Sequence, residues 1–208
     1  MTRPHEDIER HTPTDHRQGG VPVTFAPNAW CAIDVVHTKA ERVDAGISAY
    51  ETLIEKARKE PLGVRVAAVL KSVNDRRVIA LVDLEGHEAF RHLRSSWDDH
   101  HLVQQKRDVA ESSALGLYRL VTSRGDASID PLSKDTYAFE QIARGSQPAG
   151  ALATAAGQAN GFRGVLVFES DGDDRLVVIY RFGHPADLAA LRADGDAIAA
   201  VHPVRTFG

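Results

Sequence analysis

Gly63-Val-Arg-Val-Ala-Ala-Val-Leu-Lys-Ser-Val-Asn-Asp-Arg-Arg-Val-Ile-Ala-Leu-Val82 is followed, 98 positions further on, by Gly161-Phe-Arg-Gly-Val-Leu-Val-Phe-Glu-Ser-Asp-Gly-Asp-Asp-Arg-Leu-Val-Val-Ile-Tyr180. Each stretch sets β-branched and apolar residues on both sides of a short polar segment, the pattern of a β-hairpin. At this offset Gly63 meets Gly161, Ser72 meets Ser170, Asp75 meets Asp173 and Arg77 meets Arg175. The register continues into the following helix, where Phe90 and Leu93 meet Leu188 and Leu191. An internal match that keeps its order over this length marks a duplicated unit.

Working outward from the first hairpin, Trp30 to His37 reads as a strand. Ala40 to about Lys59 reads as a helix with Val43, Ile47, Tyr50, Leu53 and Ile54 at helical spacing, stopped by Pro61-Leu-Gly63. Beyond the hairpin strands, Val64–Leu70 and Arg77–Val82, a second helix begins near Gly86 and carries Phe90, Leu93 and Trp97 on one face. Ala114–Val121 is the closing strand, and the unit reads strand-helix-strand-strand-helix-strand. The second unit opens with Tyr137–Ile142, passes through an Ala-rich segment from Pro148 to Ala159, and closes with Val201–Phe207. The reading divides the chain into a flexible N-terminal tail (1–27), a first repeat (28–124), a linker rich in Gly, Asp, Ser and Pro (125–135) and a second repeat with a shortened first helix (136–208).

Of the 208 residues, 43% are hydrophobic and 6% aromatic, enough for buried cores in water. The 25 Lys and Arg against 29 Asp and Glu leave a net charge of -4, which argues against a generally basic nucleic-acid surface. Cys31 is the single cysteine, so an intrachain disulfide and a cysteine-cluster metal site are excluded, and a reducing compartment is compatible. No apolar run is long enough for a bilayer-spanning helix, and the first residues lack a secretory apolar core, so the expected partners include no membrane and the expected location is cytoplasmic. Gly19-Gly20 and Gly161-Phe-Arg-Gly164 fall short of a phosphate cradle, and His5, His11 and His16 lack the context of a built metal site. The reading therefore assigns no metal and no cofactor.

The β-α-β-β-α-β order, repeated, resembles a ferredoxin-like module, and the pair is similar to the dimeric α/β-barrel superfamily that includes antibiotic-biosynthesis monooxygenases. The resemblance implies an α+β fold: two ferredoxin-like repeats packed as an intramolecular dimeric α/β barrel, each covering the open sheet face of the other. It also implies a cofactor-independent monooxygenase of secondary metabolism acting on a small aromatic or polyketide-like substrate. Relatives of other activity keep three alternatives open: a polyketide cyclase, a haem-binding or haem-degrading protein, and a noncatalytic ligand-binding protein. A homodimer of the fused chain is compatible with all of them.

Individual residues supply the expected site. Trp97 is followed by Asp98, Asp99, His100 and His101, whereas the repeat offset places Gly195 opposite Trp97. Four residues apart, Trp97 and His101 would give one pocket an aromatic wall and a proton-transfer group. On the first strand, alternation puts Trp30 and Asp34 on one face and Cys31, Ile33 and Val35 on the other. The first face is expected to line the central cavity and the second to pack beneath helices. Tyr118 is expected to donate to a phenolic or carbonyl oxygen in the cavity. The catalytic set is thus Asp34, His101 and Tyr118, and the substrate pocket is Trp30, Trp97, Tyr137 and Tyr180.

Overall fold

In the computed structural model the described residues are 19–61, 63–98, 104, 107–146, 148–191 and 198–208. The eight strands are β1 (Trp30–Thr38), β2 (Ala67–Ser72), β3 (Arg77–Leu84), β4 (Ala110–Gly125), β5 (Thr136–Ala143), β6 (Phe162–Ser170), β7 (Arg175–Phe182) and β8 (Ala199–Phe207). The helices described are α1 (Val43–Lys59), α2 (His87–Asp98), α3 (Ala149–Ala156) and α4 (Pro185–Leu191), with a single 3-10 turn at Arg144–Ser146. All strands pair antiparallel in a closed barrel of order β1-β3-β2-β8-β5-β7-β6-β4. A closed barrel leaves no sheet edge for another chain to extend.

Each helix forms for local reasons. Along α1, Ile47, Tyr50, Leu53, Ile54 and Ala57 fall on one buried face, with Asp44 in the first turn and Lys56, Arg58 and Lys59 in the last, complementing the helix dipole. The helix starts at Val43 and not near Ala40 because the chain first turns through Glu41, whose φ is 59°. In the second half, α3 has the sequence AGALATAA and buries only Ala153 and Ala156, so it lies on the sheet with small side chains where α1 uses large ones.

Two β-bulges expose the internal symmetry. β4 meets β6 through Tyr118↔Ser170, Leu120↔Phe168 and Thr122↔Val167, which leaves Val121 as an extra residue. β8 meets β2 through Val201↔Ser72, Pro203↔Leu70 and Arg205↔Val69, which leaves Val204 extra at the corresponding place. A bulge bends its strand and raises the local twist, and here each bulge sits where a strand crosses from one half's sheet to the other's. Pro203, which has no N–H to offer a ladder, is placed beside one of them. β4 is longer than the sequence pattern showed because its first part pairs with β1 and its last part with β6.

Alternating residues divide the apolar side chains into three clusters. Cys31, Ile33 and Val35 join Leu70, Leu81, Leu120, Phe139, Phe168 and Ile179 inside the barrel. Ala32, Val36, Val69, Ala80 and Val82 pack outward against α1 and α2. Ala138, Val167, Val178, Tyr180 and Phe182 pack outward in the second half, with Ala153, Ala156 and Leu188 of α3 and α4. The expected orientation of the first strand is therefore reversed: the Cys31 face is the barrel interior, and the Asp34 face lies beneath the helices. Both faces of β1 are buried, so alternation separates them without telling which is inside.

The expected tail also needs correction in its described part. Val23 exchanges backbone hydrogen bonds with Ile129, and Phe25 meets Phe168 edge to face with ring centroids 5.8 Å apart. With Val23 and Phe25 buried, residues 19–27 close one end of the barrel. On the same side, β6 passes close to the chain leaving β4: a Cβ at Gly164 would collide with the Asp126 carbonyl. Gly164→Ala is expected to cost about 1–3 kcal/mol, read as a lower urea midpoint at unchanged slope.

Candidate functional site

The register aligns the two halves more closely than the 98-residue offset did. β1 pairs with β3 through Asp34↔Ala80, and β5 pairs with β7 through Glu140↔Val178. Since Ala80 and Val178 correspond across the hairpins, Asp34 and Glu140 occupy the same place in the two sheets. Each is a carboxylate on the outward face, beneath its own half's helices, and each meets a tyrosine.

In the first half, Ser113 Oγ donates to Asp34 Oδ1 at 2.9 Å. Asp34 is 1% exposed and lies beside the hydroxyl of Tyr50, delivered by α1. Burial, and then the neighbouring Asp34 carboxylate, push the Tyr50 phenol well above its ordinary range. This pair is sealed beneath a well-packed helix.

In the second half the tyrosine comes from the sheet. Tyr180 Oη donates to Glu140 Oε2 at 2.7 Å. Burial, with the Glu140 bond and charge, drives the Tyr180 phenol far above its ordinary range, so it remains a donor at any physiological pH. Tyr180 stacks on Phe182 at 6.3 Å, and Phe182 meets Phe162 edge to face at 6.3 Å. The corresponding first-half positions are Val82, Leu84 and Val64, so the outward face is aromatic in one half and aliphatic in the other. Glu140, unlike Asp34, is partly exposed. A groove of about 360 Å³ opens on this face, lined by Arg144, Gly145, Pro148, Ala149, Glu169 and Leu176. Leu176 lies two residues along β7 from Val178, the ladder partner of Glu140, one side-chain step on the same face. Arg144 Nη1 reaches Glu169 Oε1 at 2.8 Å across the groove. Tyr180 and Phe182 are themselves buried in the outward core, so what the groove meets is the Arg144–Glu169 pair, with the partly exposed Glu140 carboxylate one side-chain step from Leu176 and free to take a proton.

The other expected residues go elsewhere. Tyr118 points into the barrel, 2% exposed, on the opposite side of the sheet from Asp34. Tyr137 faces the barrel interior, and its hydroxyl accepts from Asp130 N and donates to Ser128 O, both at 3.1 Å, fastening the connection between the halves. Arg181 adds to that fastening through Asp135 at 2.6 Å and Asp126 at 2.8 Å. Trp30 is on the outward face, its ring 4.4 Å from that of His87 at the start of α2. His101 and the Trp97 side chain lie outside the described residues. Among the described residues no cluster of three or more His, Cys, Asp or Glu could hold a metal ion, and no helix is long and apolar enough to cross a membrane.

What sequence reasoning missed is the pairing of Tyr50 with Asp34 and the equivalence of Asp34 and Glu140. Tyr50 was visible only as an apolar-face helix position, and Glu140 is aligned with Asp34 only after the shortened first helix is allowed for.

No family model matches the chain, and no curated protein matches it in sequence. Solved structures do match. One described as an anthrone oxidase-like protein superposes with a TM-score of 0.69 at 13% identity, covering 89% of this chain and 95% of its own. A candidate monooxygenase from Fusobacterium nucleatum gives 0.60 at 11% identity, covering 88% and 95%. A candidate chlorite dismutase gives 0.51 at 14% identity, covering 86% and 95%. The fold is the one these solved structures share, with strands and helices of two ferredoxin-like halves closed into a single α/β barrel. Because each neighbour is matched over nearly its whole length, what is shared is the paired arrangement and not a single ferredoxin-like unit.

Proposed function

We propose that the protein is a cofactor-independent monooxygenase of secondary metabolism that oxidises an aromatic or polyketide-like substrate at the second-half site. The observation that carries this reading is the Tyr180–Glu140 pair, in which a buried phenol holds a partly exposed carboxylate one side-chain step from the groove. Glu140 removes a proton from an activated ring carbon flanked by a conjugated carbonyl. The carbanion's charge spreads onto that carbonyl oxygen, which Arg144 meets with the guanidinium N–H groups that its bond to Glu169 leaves over. Dioxygen adds to the carbon, and loss of water from the resulting hydroperoxide leaves a new carbonyl, so that a CH2 group and O2 become C=O and H2O. Tyr180 is a positioning residue that holds the carboxylate toward the ring. The sharing of a fold with an anthrone oxidase-like structure supports an anthrone as the first substrate to try.

Purified protein mixed with an anthrone is expected to consume one O2 per quinone formed. Product formation without oxygen uptake would replace oxygenation by cyclisation, and an unchanged substrate panel would overturn both. Tyr180→Phe keeps the ring on Phe182 and deletes the bond to Glu140. It is expected to lower kcat about tenfold with little change in KM, the loss of one charge-assisted hydrogen bond.

A further inference from the structure

The two halves of the barrel meet at two seams, β4 with β6 and β2 with β8, which are equivalent in backbone and unlike in side chains. At the β4–β6 seam one row of ladder partners contains Leu84, Trp30, Arg119, Glu169 and Leu176. Partners in a row share a face of the sheet, and this row faces outward, ending at the groove residue Leu176. At the β2–β8 seam His202 pairs with Lys71 as Arg119 pairs with Glu169, and Thr136 stands in the place of Trp30. The hairpin turns dock in the same way: Asp171 N donates to Leu117 O and Val73 N to Ala200 O, both at 2.9 Å.

On that common frame the first seam carries polar and aromatic groups that the second lacks. His87 Nδ1 faces Asp171 Oδ2 at 3.4 Å, joining the start of α2 to the hairpin of the other half. The corresponding pair at the second seam is Pro185 and Val73, which cannot form an ion pair. Thr136 is buried, whereas Trp30 is partly exposed. The indole is held by the His87 ring at 4.4 Å and by the close backbone of Gly86, whose φ of 135° favours glycine and whose added Cβ would lie 3.7 Å from Trp30 Cδ1. Arg119, the cross-strand neighbour of Trp30, is exposed and makes no hydrogen bond or ion pair among the described residues. The acids nearby are engaged, Glu169 by Arg144 at 2.8 Å and Asp171 by His87. A guanidinium with its whole fork unused, about 5 Å across the ladder from a partly exposed indole, suits a carboxylate carried on a flat ring.

We infer that the outward face of the β4–β6 seam binds a small aromatic carboxylate, its carboxylate on the Arg119 guanidinium and its ring against the Trp30 indole. Three strand spacings, about 14 Å, separate Trp30 from Leu176, so the site is distinct from that of the proposed oxygenation and does not rest on it. 2-Naphthoate is the probe, and 2-naphthamide, of the same shape without the charge, is the control. In amide-detected NMR, 2-naphthoate is expected to shift the Trp30 indole N–H saturably and to bind at least fivefold more tightly than 2-naphthamide. Arg119→Gln should weaken 2-naphthoate at least fivefold and leave 2-naphthamide unchanged, whereas Trp30→Leu should weaken both. His202→Gln, the same position at the other seam, should leave both affinities unchanged. Arg119→Gln alters an exposed side chain and preserves the fold, so it decides the matter alone if Trp30→Leu does not fold. The absence of a saturable shift, equal binding of the two compounds, unchanged affinity in Arg119→Gln or an equal loss in His202→Gln overturns the inference.

Discussion

Glu140→Gln is expected to lower kcat/KM for oxygenation of an anthrone by about 10²–10⁴-fold, the usual contribution of a positioned general base. The substitution isolates the proton transfer because glutamine is close in shape and its side-chain oxygen can still accept from Tyr180 Oη, which now approaches Glu140 Oε2 at 2.7 Å. Thermal stability should therefore change little while turnover collapses. The comparison with Tyr180→Phe matters: a tenfold loss there beside the much larger loss at Glu140 is the signature of a base and its positioning partner. Equal small losses at both positions would make the pair a structural hydrogen bond and remove the reading.

Asp34→Ala is expected to leave chemistry at Glu140 intact and to destabilise the fold by about 2–5 kcal/mol. Asp34 is 1% exposed and accepts from the exposed Ser113, which can turn to water, whereas its removal strands the buried Tyr50 hydroxyl in a dry interior and leaves a cavity beneath α1. The cost is a penalty for an unmet donor and a cavity and not the worth of the pair, so Asp34→Ala combined with Tyr50→Phe should cost less than the sum of the two single changes. Chemical denaturation of the four proteins in the cycle measures the coupling. Additive losses would show that Asp34 and Tyr50 act separately.

The hairpins were legible because their turn chemistry is local: Ser72 Oγ accepts from Asp75 N, and Ser170 Oγ from Asp173 N, each three residues on. The equivalence of Asp34 and Glu140 was not legible, because the segment between opening strand and hairpin is eight residues shorter in the second half, which shifts the offset of the opening strand from 98 to 106. Nor did the sequence separate the two faces of β1, since a strand between a filled lumen and a helix layer is apolar on both. Tyr50 carried no sequence signal of its own, since a tyrosine at helical spacing reads as packing and acquires meaning only when α1 brings it beside Asp34.

The paired bulges at Val121 and Val204 mark the two seams, and the seams differ in when the chain can form them. The β4–β6 seam joins Gly125 to Gly164, close in sequence, whereas the β2–β8 seam joins Ala67 to Phe207 and needs almost the whole described chain in place. Loop-closure entropy favours the first, so the β2–β8 seam should be the last to zip and should set a slow folding rate. Until it does, β2 and β8 present unpaired edges, which makes the nearly finished barrel the state most exposed to aggregation during synthesis.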